Sequence, residues 1–317
     1  MVRSLRSSGA DVHLVLDPLR LAASVPQAWR LLGRLRPEAI FTTGGYLALP
    51  LVAAARARGI PSLLWEGNVI PGRATAAVAR LATRVAVSFP PTLDAFPGRS
   101  FVSGTPIRSF AGVDREASRE SFGVAPDERL LLVFGGSQAV VRITRALEAG
   151  LDRLLADWKV VHLAGSSGMP AALRMRDRLP PQLHDRYQPI AFLTDRMAAA
   201  LVASDLVLGR AGSSTCAEVA AVGVASILVP YPHAAGHQAA NAAWLANQGA
   251  AVLVRDEELD GGRLVAEATR LLDDRHRAGI GRAAKGLARP DAARRLAEEL
   301  LAMGEGRPLP SLSGTAG

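Results

Sequence analysis

Short apolar, β-branched runs recur along the chain. Between most of them lie longer stretches whose apolar positions return every three to four residues. The first pattern marks strands buried on both faces, and the second marks helices that cover such a sheet. Strands are predicted over residues 12–16, 39–42, 62–65, 85–88, 130–134, 160–163, 189–192, 206–208, 226–229 and 251–254. Helices are predicted over 47–58, 143–155, 197–203 and 237–248, among others. This alternation predicts an α/β protein, with parallel sheets and helices on both faces.

Glycine and proline interrupt the pattern at Phe96-Pro-Gly-Arg and at Gly104-Thr-Pro-Ile-Arg108, placing a domain boundary near Ser103. Residues 1–103 read as an incomplete domain. They open on what looks like a helix end at residues 4–8, with no preceding strand and glycine turn. Residues 104–290 read as a complete doubly wound unit. Pro290-Asp-Ala-Ala-Arg starts a last helix over 291–303, and 304–317 is expected to be a disordered tail.

Composition narrows the classes. At 317 residues and 49% apolar content the chain supports about two domains with ample cores. Its longer apolar stretches, such as 47–55, fall well short of the roughly 18 residues that suggest a membrane span. The first twenty residues contain Arg, Asp, His and Pro and do not resemble a signal peptide, so the chain reads as intracellular. Cys216 is the single cysteine, which excludes an internal disulfide and a thiolate zinc cluster. The net charge is +8, and of 37 basic residues only Lys159 and Lys285 are lysine. Such a surface suits phosphates and anionic lipid. Several arginines (Arg56, Arg58, Arg145, Arg153, Arg294, Arg295) fall at helix-surface spacings, and no basic run is interleaved with aromatics, so nucleic acid is not an expected partner.

Ligands on open parallel sheets bind beyond the carboxyl ends of the strands. Four turns there stand out: TTGGY (42–46), WEGN (65–68), FGGSQ (134–138) and GRAGSST (209–215). In FGGSQ two glycines bring backbone amides close to an anion at a helix start, with Ser137 either donating to a phosphate or capping the helix. In GRAGSST, residues Gly212, Ser213 and Ser214 leave amides free at a helix start. Thr215 and Glu218 also have the spacing of a capping box, so Glu218 is either the acid of that box or a carboxylate for two ribose hydroxyls. Cys216 at this helix start is read as a packing residue. His233 and His237 are separated by Gly236 and lack a third ligand nearby, so no metal is expected. Gln238 and Asn241 share one side of the next helix, either reading sugar hydroxyls or solvated. His13, His184 and His276 stand without a constellation. The usual nucleophile elbow, Gly-Lys-Ser phosphate loop and dinucleotide glycine turn are absent, which disfavours hydrolase, NTPase and hydride-transfer chemistry.

Several motifs then occur in order: GGYLALP, WEGNVIPG, VSGTPIR, LLVFGGSQ, DRMAAALVASDLVLGRAGSSTCAEVAAVG, ILVPYPHAAGHQAANA and RPDAARRLAEEL. Together they resemble the MurG family, the lipid I N-acetylglucosaminyltransferases of peptidoglycan synthesis, from about Gly9 to Leu301. The resemblance implies two Rossmann-like domains of GT-B type, the N-terminal one truncated, with a cleft between them. It implies inverting transfer of N-acetylglucosamine from UDP-N-acetylglucosamine to an undecaprenyl-linked muramoyl-pentapeptide, at the cytoplasmic face of the membrane and without a cofactor. By resemblance, Ser213, Ser214 and Thr215 lie at the donor diphosphate, Cys216 and Ala217 belong to the same donor-binding segment, and Glu218 holds the ribose. Leu193 meets the uracil through its backbone, and His237, Gln238 and Asn241 lie near the sugar. Ser137 and Arg108 fall on the phosphate side, Asn68 faces the sugar, and Gly44, Gly45 and Tyr46 fall on the acceptor side.

The match also has gaps. The family's opening Gly-Gly-Thr-Gly-Gly-His turn, with its candidate base, has no counterpart here, and Glu66 is the remaining candidate base. Trp65 and Gly67 stand where the family has histidine and glutamine, and Ala139 replaces a glycine. The alternatives are therefore a sugar-nucleotide-binding module without a working acceptor site, or a transferase with another acceptor.

Overall fold

The computed structural model describes residues 12–135, 141–234 and 236–312, with side chains from Ala23 onward. It divides into two compact units. Unit 1 comprises Met1–Gly104 and Asp291–Gly317, and unit 2 comprises Thr105–Pro290.

Unit 1 runs α1 (Val12–Leu35), β1 (Ile40–Thr42), α2 (Ala48–Ala57), β2 (Ser62–Glu66), α3 (Arg73–Ala79), β3 (Arg84–Val87) and β4 (Ser100–Val102). The strands form one parallel sheet in the order β1-β2-β3-β4. Alternation along the strands sorts its two faces. Leu64, Val85, Val87 and Val102 pack with Val52 and Val78 of α2 and α3. Leu63, Ala86 and Phe101 point the other way, onto Leu296 and Met303.

Those last two residues belong to the helix near the chain's end, Ala292–Gly304, which unit 1 takes as its own cover. Arg84 of β3 pairs with Glu299 of that helix, both largely buried. Beyond the helix the expected free tail is corrected as far as residue 312. Leu309 and Leu312 pack against the Leu63–Phe101 face, and Arg84 donates to the Pro310 carbonyl at 2.8 Å. Gly, Pro and Ser suggested a solvated tail, but two leucines find apolar surface there. Residues 313–317 lie outside the described residues.

A second correction concerns residues 12–16, expected as a strand and found in α1. Five apolar-rich residues fit either structure, and the Ala/Leu/Arg-rich segment that follows carries the helix through them. β4 escaped the sequence reading because only three strand residues separate its turns.

Unit 2 runs α4 (Arg115–Ser121), β5 (Leu130–Phe134), α5 (Val141–Asp157), β6 (Lys159–Leu163), α6 (Gly165–Asp177), β7 (Tyr187–Ile190), α7 (Met197–Ala203), β8 (Leu206–Gly209), α8 (Ser213–Val222), β9 (Ala225–Leu228), α9 (His237–Asn247), β10 (Val252–Leu253), α10 (Gly261–Arg270) and α11 (Asp274–Gly286). The closing helix of unit 1 is α12. The six strands are parallel, in the order β10-β9-β8-β5-β6-β7. Counted within the unit this is 6-5-4-1-2-3, the doubly wound order in which the chain reverses direction between β5 and β8. β7 ends at Ile190, two residues earlier than expected, which leaves Leu193 in the following turn.

Close packing fixes α8. Its C-terminal Gly223 is left-handed (φ 76°), a conformation that suits glycine. Gly281 of α11 lies so near the Gly223 carbonyl that a Cβ there would collide with it. Lys285 of α11 donates to the Ala221 carbonyl and closes the helix end.

Candidate functional site

The reversal between β5 and β8 opens a crevice at their carboxyl ends, where such sheets bind ligands. Phe134 and Gly209, the last residues of the two strands, are in register. A Cβ on Gly209 would sit 3.2 Å from the Phe134 carbonyl oxygen, so this backbone approach requires glycine or a shift of the strands. Gly135 follows Phe134, and Ser137 lies outside the described residues.

From β8 the chain turns through Arg210, Ala211 and Gly212 into α8. Gly212 is the N-cap, extended at φ −66° and ψ 153°, and no side chain caps the helix. The first backbone bond of the helix runs from the Cys216 amide to the Gly212 carbonyl at 3.0 Å. The amides of Ser213, Ser214 and Thr215 precede it and have no partner within the helix, where the helix dipole favours an anion. Around Gly212 the space is open. The Cys216 amide is engaged, and burial pushes its thiol up to about 12, outweighing the backbone hydrogen bond that would lower it. Cys216 therefore packs as a neutral thiol.

The alternatives for Glu218 separate here. It forms no capping box, because Gly212 and not Thr215 is the N-cap. Its carboxylate is nearly enclosed, and Oε1 accepts from Arg108 Nε at 2.7 Å. Arg108 lies in the segment leading from Thr105 to α4, and its side chain is 41% exposed.

Asn241 is enclosed and Gln238 is half-buried. Asn241 is fully buried and donates from Nδ2 to the Ala211 carbonyl at 3.1 Å. Gln238 Oε1 accepts from the Tyr231 amide at 3.0 Å. Thus α9 ties together the turns that follow β8 and β9, and both amides act on the scaffold. His237 opens α9 behind left-handed Gly236, while His233 stacks edge-on against Tyr231 at 5.3 Å between centroids. Leu193 is half-buried between β7 and α7, next to Phe192, which is 67% exposed.

Sequence reasoning missed Arg210. It is buried and donates to the Val229 and Pro230 carbonyls and to Asp256, which also pairs with Arg142. The available signal was an arginine at the end of an apolar strand, where only a buried partner makes a charge tolerable. Arg210, Asp256 and Arg142, with Arg145, Tyr231 and His233, line a cavity of about 500 Å³.

In unit 1, Gly44 and Gly45 are left-handed (φ 81° and 85°), and the Gly44 amide donates to Thr42 Oγ1 at 3.1 Å. A Cβ on Gly44 would approach Thr75 Oγ1 to 2.7 Å. Tyr46 is partly exposed beside them. Glu66 does not fit a free base. It is buried, its Oε1 accepts from the Asn68 amide and Nδ2 at 2.9 and 3.0 Å, and its Oε2 faces the Gly72 amide at 3.4 Å. It pins the 66–72 loop and orients Asn68. Trp65, where the resemblance leads one to expect histidine, donates to the Gly104 carbonyl at 3.0 Å.

Comparison with known proteins agrees with this fold. Residues 2–87 match the glycosyltransferase family 28 N-terminal domain and residues 130–296 its C-terminal domain. The crystal structure of Acinetobacter baumannii MurG superposes with a TM-score of 0.77 at 28% identity, covering 95% of this chain and 83% of that one. Two parallel α/β units with these matches define a glycosyltransferase of the GT-B class. A Salinibacter ruber relative is 38% identical over 92% of this chain and 78% of its own length. A Nocardioides relative is 38% identical over 95% and 82%. Both carry the name UDP-N-acetylglucosamine--N-acetylmuramyl-(pentapeptide) pyrophosphoryl-undecaprenol N-acetylglucosamine transferase. The chain belongs to that family.

Proposed function

We propose that this protein transfers N-acetylglucosamine from UDP-N-acetylglucosamine to a muramoyl-pentapeptide carried on undecaprenyl diphosphate, converting lipid I to lipid II. The carrying observation is the start of α8 at the β5/β8 crevice. Its uncapped amides at Ser213, Ser214 and Thr215 precede an acid, Glu218, whose carboxylate is not spent on its own backbone.

In this reading the acceptor hydroxyl oxygen forms a bond to the anomeric carbon as that carbon's bond to the diphosphate oxygen breaks, the hydroxyl proton passes to solvent, and UDP leaves. Attack opposite the leaving group inverts the anomeric centre. Negative charge grows on the diphosphate, where the α8 amides and Arg108 meet it with donors already in place. Glu218 accepts from the ribose. Leu193 serves the uracil through its backbone, and His237 and Asn68 serve the sugar. Gln238 and Asn241 hold the turns that shape its site. Gly44, Gly45 and Tyr46 serve the acceptor.

Among the described residues no helix is long and apolar enough to cross a membrane. A peripheral stance on the cytoplasmic side fits a lipid-linked acceptor. On α1, Leu31 and Leu35 form an exposed apolar stripe four residues apart, with exposed Trp29 on the other flank and exposed Arg30, Arg34 and Arg36 around them. Apolar insertion with surrounding arginines suits an anionic bilayer.

Thermal unfolding with UDP and UDP-N-acetylglucosamine tests the donor site. At a hundred times Kd a ligand stabilises by about 2.7 kcal/mol, a shift of several degrees. Glu218→Ala is expected to remove most of that shift at the same concentration. A wild-type protein indifferent to both ligands would overturn the donor assignment. Transfer of labelled sugar to lipid I tests the reaction itself.

A further inference from the structure

Arg108 and Glu218 lie 110 positions apart, yet Arg108 Nε meets Glu218 Oε1 at 2.7 Å. The acid's side chain is 9% exposed and the guanidinium 41%. Among the described residues neither side chain has another polar partner. Glu218 Oε2 has no hydrogen-bond partner among the described residues and is not fully buried. Among the described residues the four N–H groups on the terminal nitrogens of Arg108 have no partner either.

A guanidinium is a rigid planar fork, and anchoring Nε fixes the direction in which its other donors point. The same bond fixes the carboxylate, which on its own would be a nearly buried, unpaired charge. Resting on the donor reading above, we propose that Arg108 is the positioning residue for Glu218. It pins one carboxylate oxygen so that the other meets the ribose hydroxyls, while its terminal nitrogens reach the diphosphate. Ribose and diphosphate are then recognised as one unit. A phosphate contact alone would leave ribose recognition untouched by loss of Arg108.

The experiment is calorimetric titration of UDP and 2′-deoxy-UDP into wild type, Arg108→Ala, Arg108→Lys and Glu218→Gln. Wild type is expected to prefer UDP by about tenfold or more, the scale of one hydrogen bond to a charged group. In Arg108→Ala that preference falls below about threefold, and UDP itself binds more weakly. Arg108→Lys keeps part of the diphosphate affinity, because an ammonium is a point charge, but loses the ribose preference. Glu218→Gln also loses it.

An arginine variant that binds UDP weakly with the wild-type preference intact would overturn the inference and leave Arg108 a phosphate ligand. Equal wild-type affinity for the two nucleotides would overturn it too, with the donor reading still standing. Failure of wild type to bind UDP at all is the separate result that removes the donor reading and this inference with it. If Arg108→Ala does not fold, Arg108→Lys decides.

Discussion

His162 shows how burial sets a residue's chemistry. It is fully enclosed on β6, with Nδ1 2.8 Å from the Tyr187 hydroxyl and Nε2 without a partner. Burial lowers its pKa from 6.5 to about 4 and raises that of Tyr187. Between those two pH values the unfolded chain binds the proton and the native protein does not, so stability rises with pH across this window. The full stabilisation is present above pH 6.5, and about 2 kcal/mol of it is lost by pH 5. Melting temperature should therefore fall from pH 7 to pH 5 more steeply in wild type than in His162→Gln. Parallel slopes would remove the assignment. At this scale the sequence showed which residue types stand near an anion site, but not their partners. Glu218 was legible as an acid one turn into a helix, whereas its bond to Arg108 depends on a contact 110 positions away. For Asn241 and Gln238 the sequence left sugar contact and solvation both open, because helical spacing does not say which face is covered.

Elements position these residues through close contacts. The start of α8 points at the crevice because Gly223 and Gly281 let α8 and α11 meet backbone to backbone. Gly281→Ala should cost about 1–3 kcal/mol through overpacking. It should also weaken UDP binding, since the shift is carried along α8 to its amides. Unfolding curves and UDP titration check both, and an unchanged affinity would mean that α8 absorbs the strain locally. The strands of unit 2 were legible because parallel strands buried on both faces are nearly continuous apolar runs. Residues 12–16 misled because five such residues are shorter than the window that separates strand from helix. α12 was visible as a helix, but only the Leu63–Phe101 face of the first sheet shows what it covers.

For the whole molecule, the excess of arginine acquires a place. The exposed Leu31 and Leu35 of α1, with Trp29 and the neighbouring arginines, predict binding to phosphatidylglycerol vesicles and little to phosphatidylcholine. High salt should reverse it by screening. Leu31→Ser with Leu35→Ser should reduce cosedimentation several-fold without changing UDP affinity, and undiminished cosedimentation would place the membrane contact elsewhere. The sequence by itself determined the α/β class and the crevice turns, and it left Glu218 open between a capping-box acid and a ribose ligand, because these depend on local periodicity and on backbone chemistry at a helix start. Only the tertiary structure decided that Glu218 answers to Arg108, that Glu66 pins a loop, that Asn241 is buried, and that the chain's last helix returns to the first sheet. All but the Glu66 loop rest on residues far apart in sequence, whose meeting is set by how helices and sheets pack; Glu66 closes a local loop whose conformation no periodicity encodes.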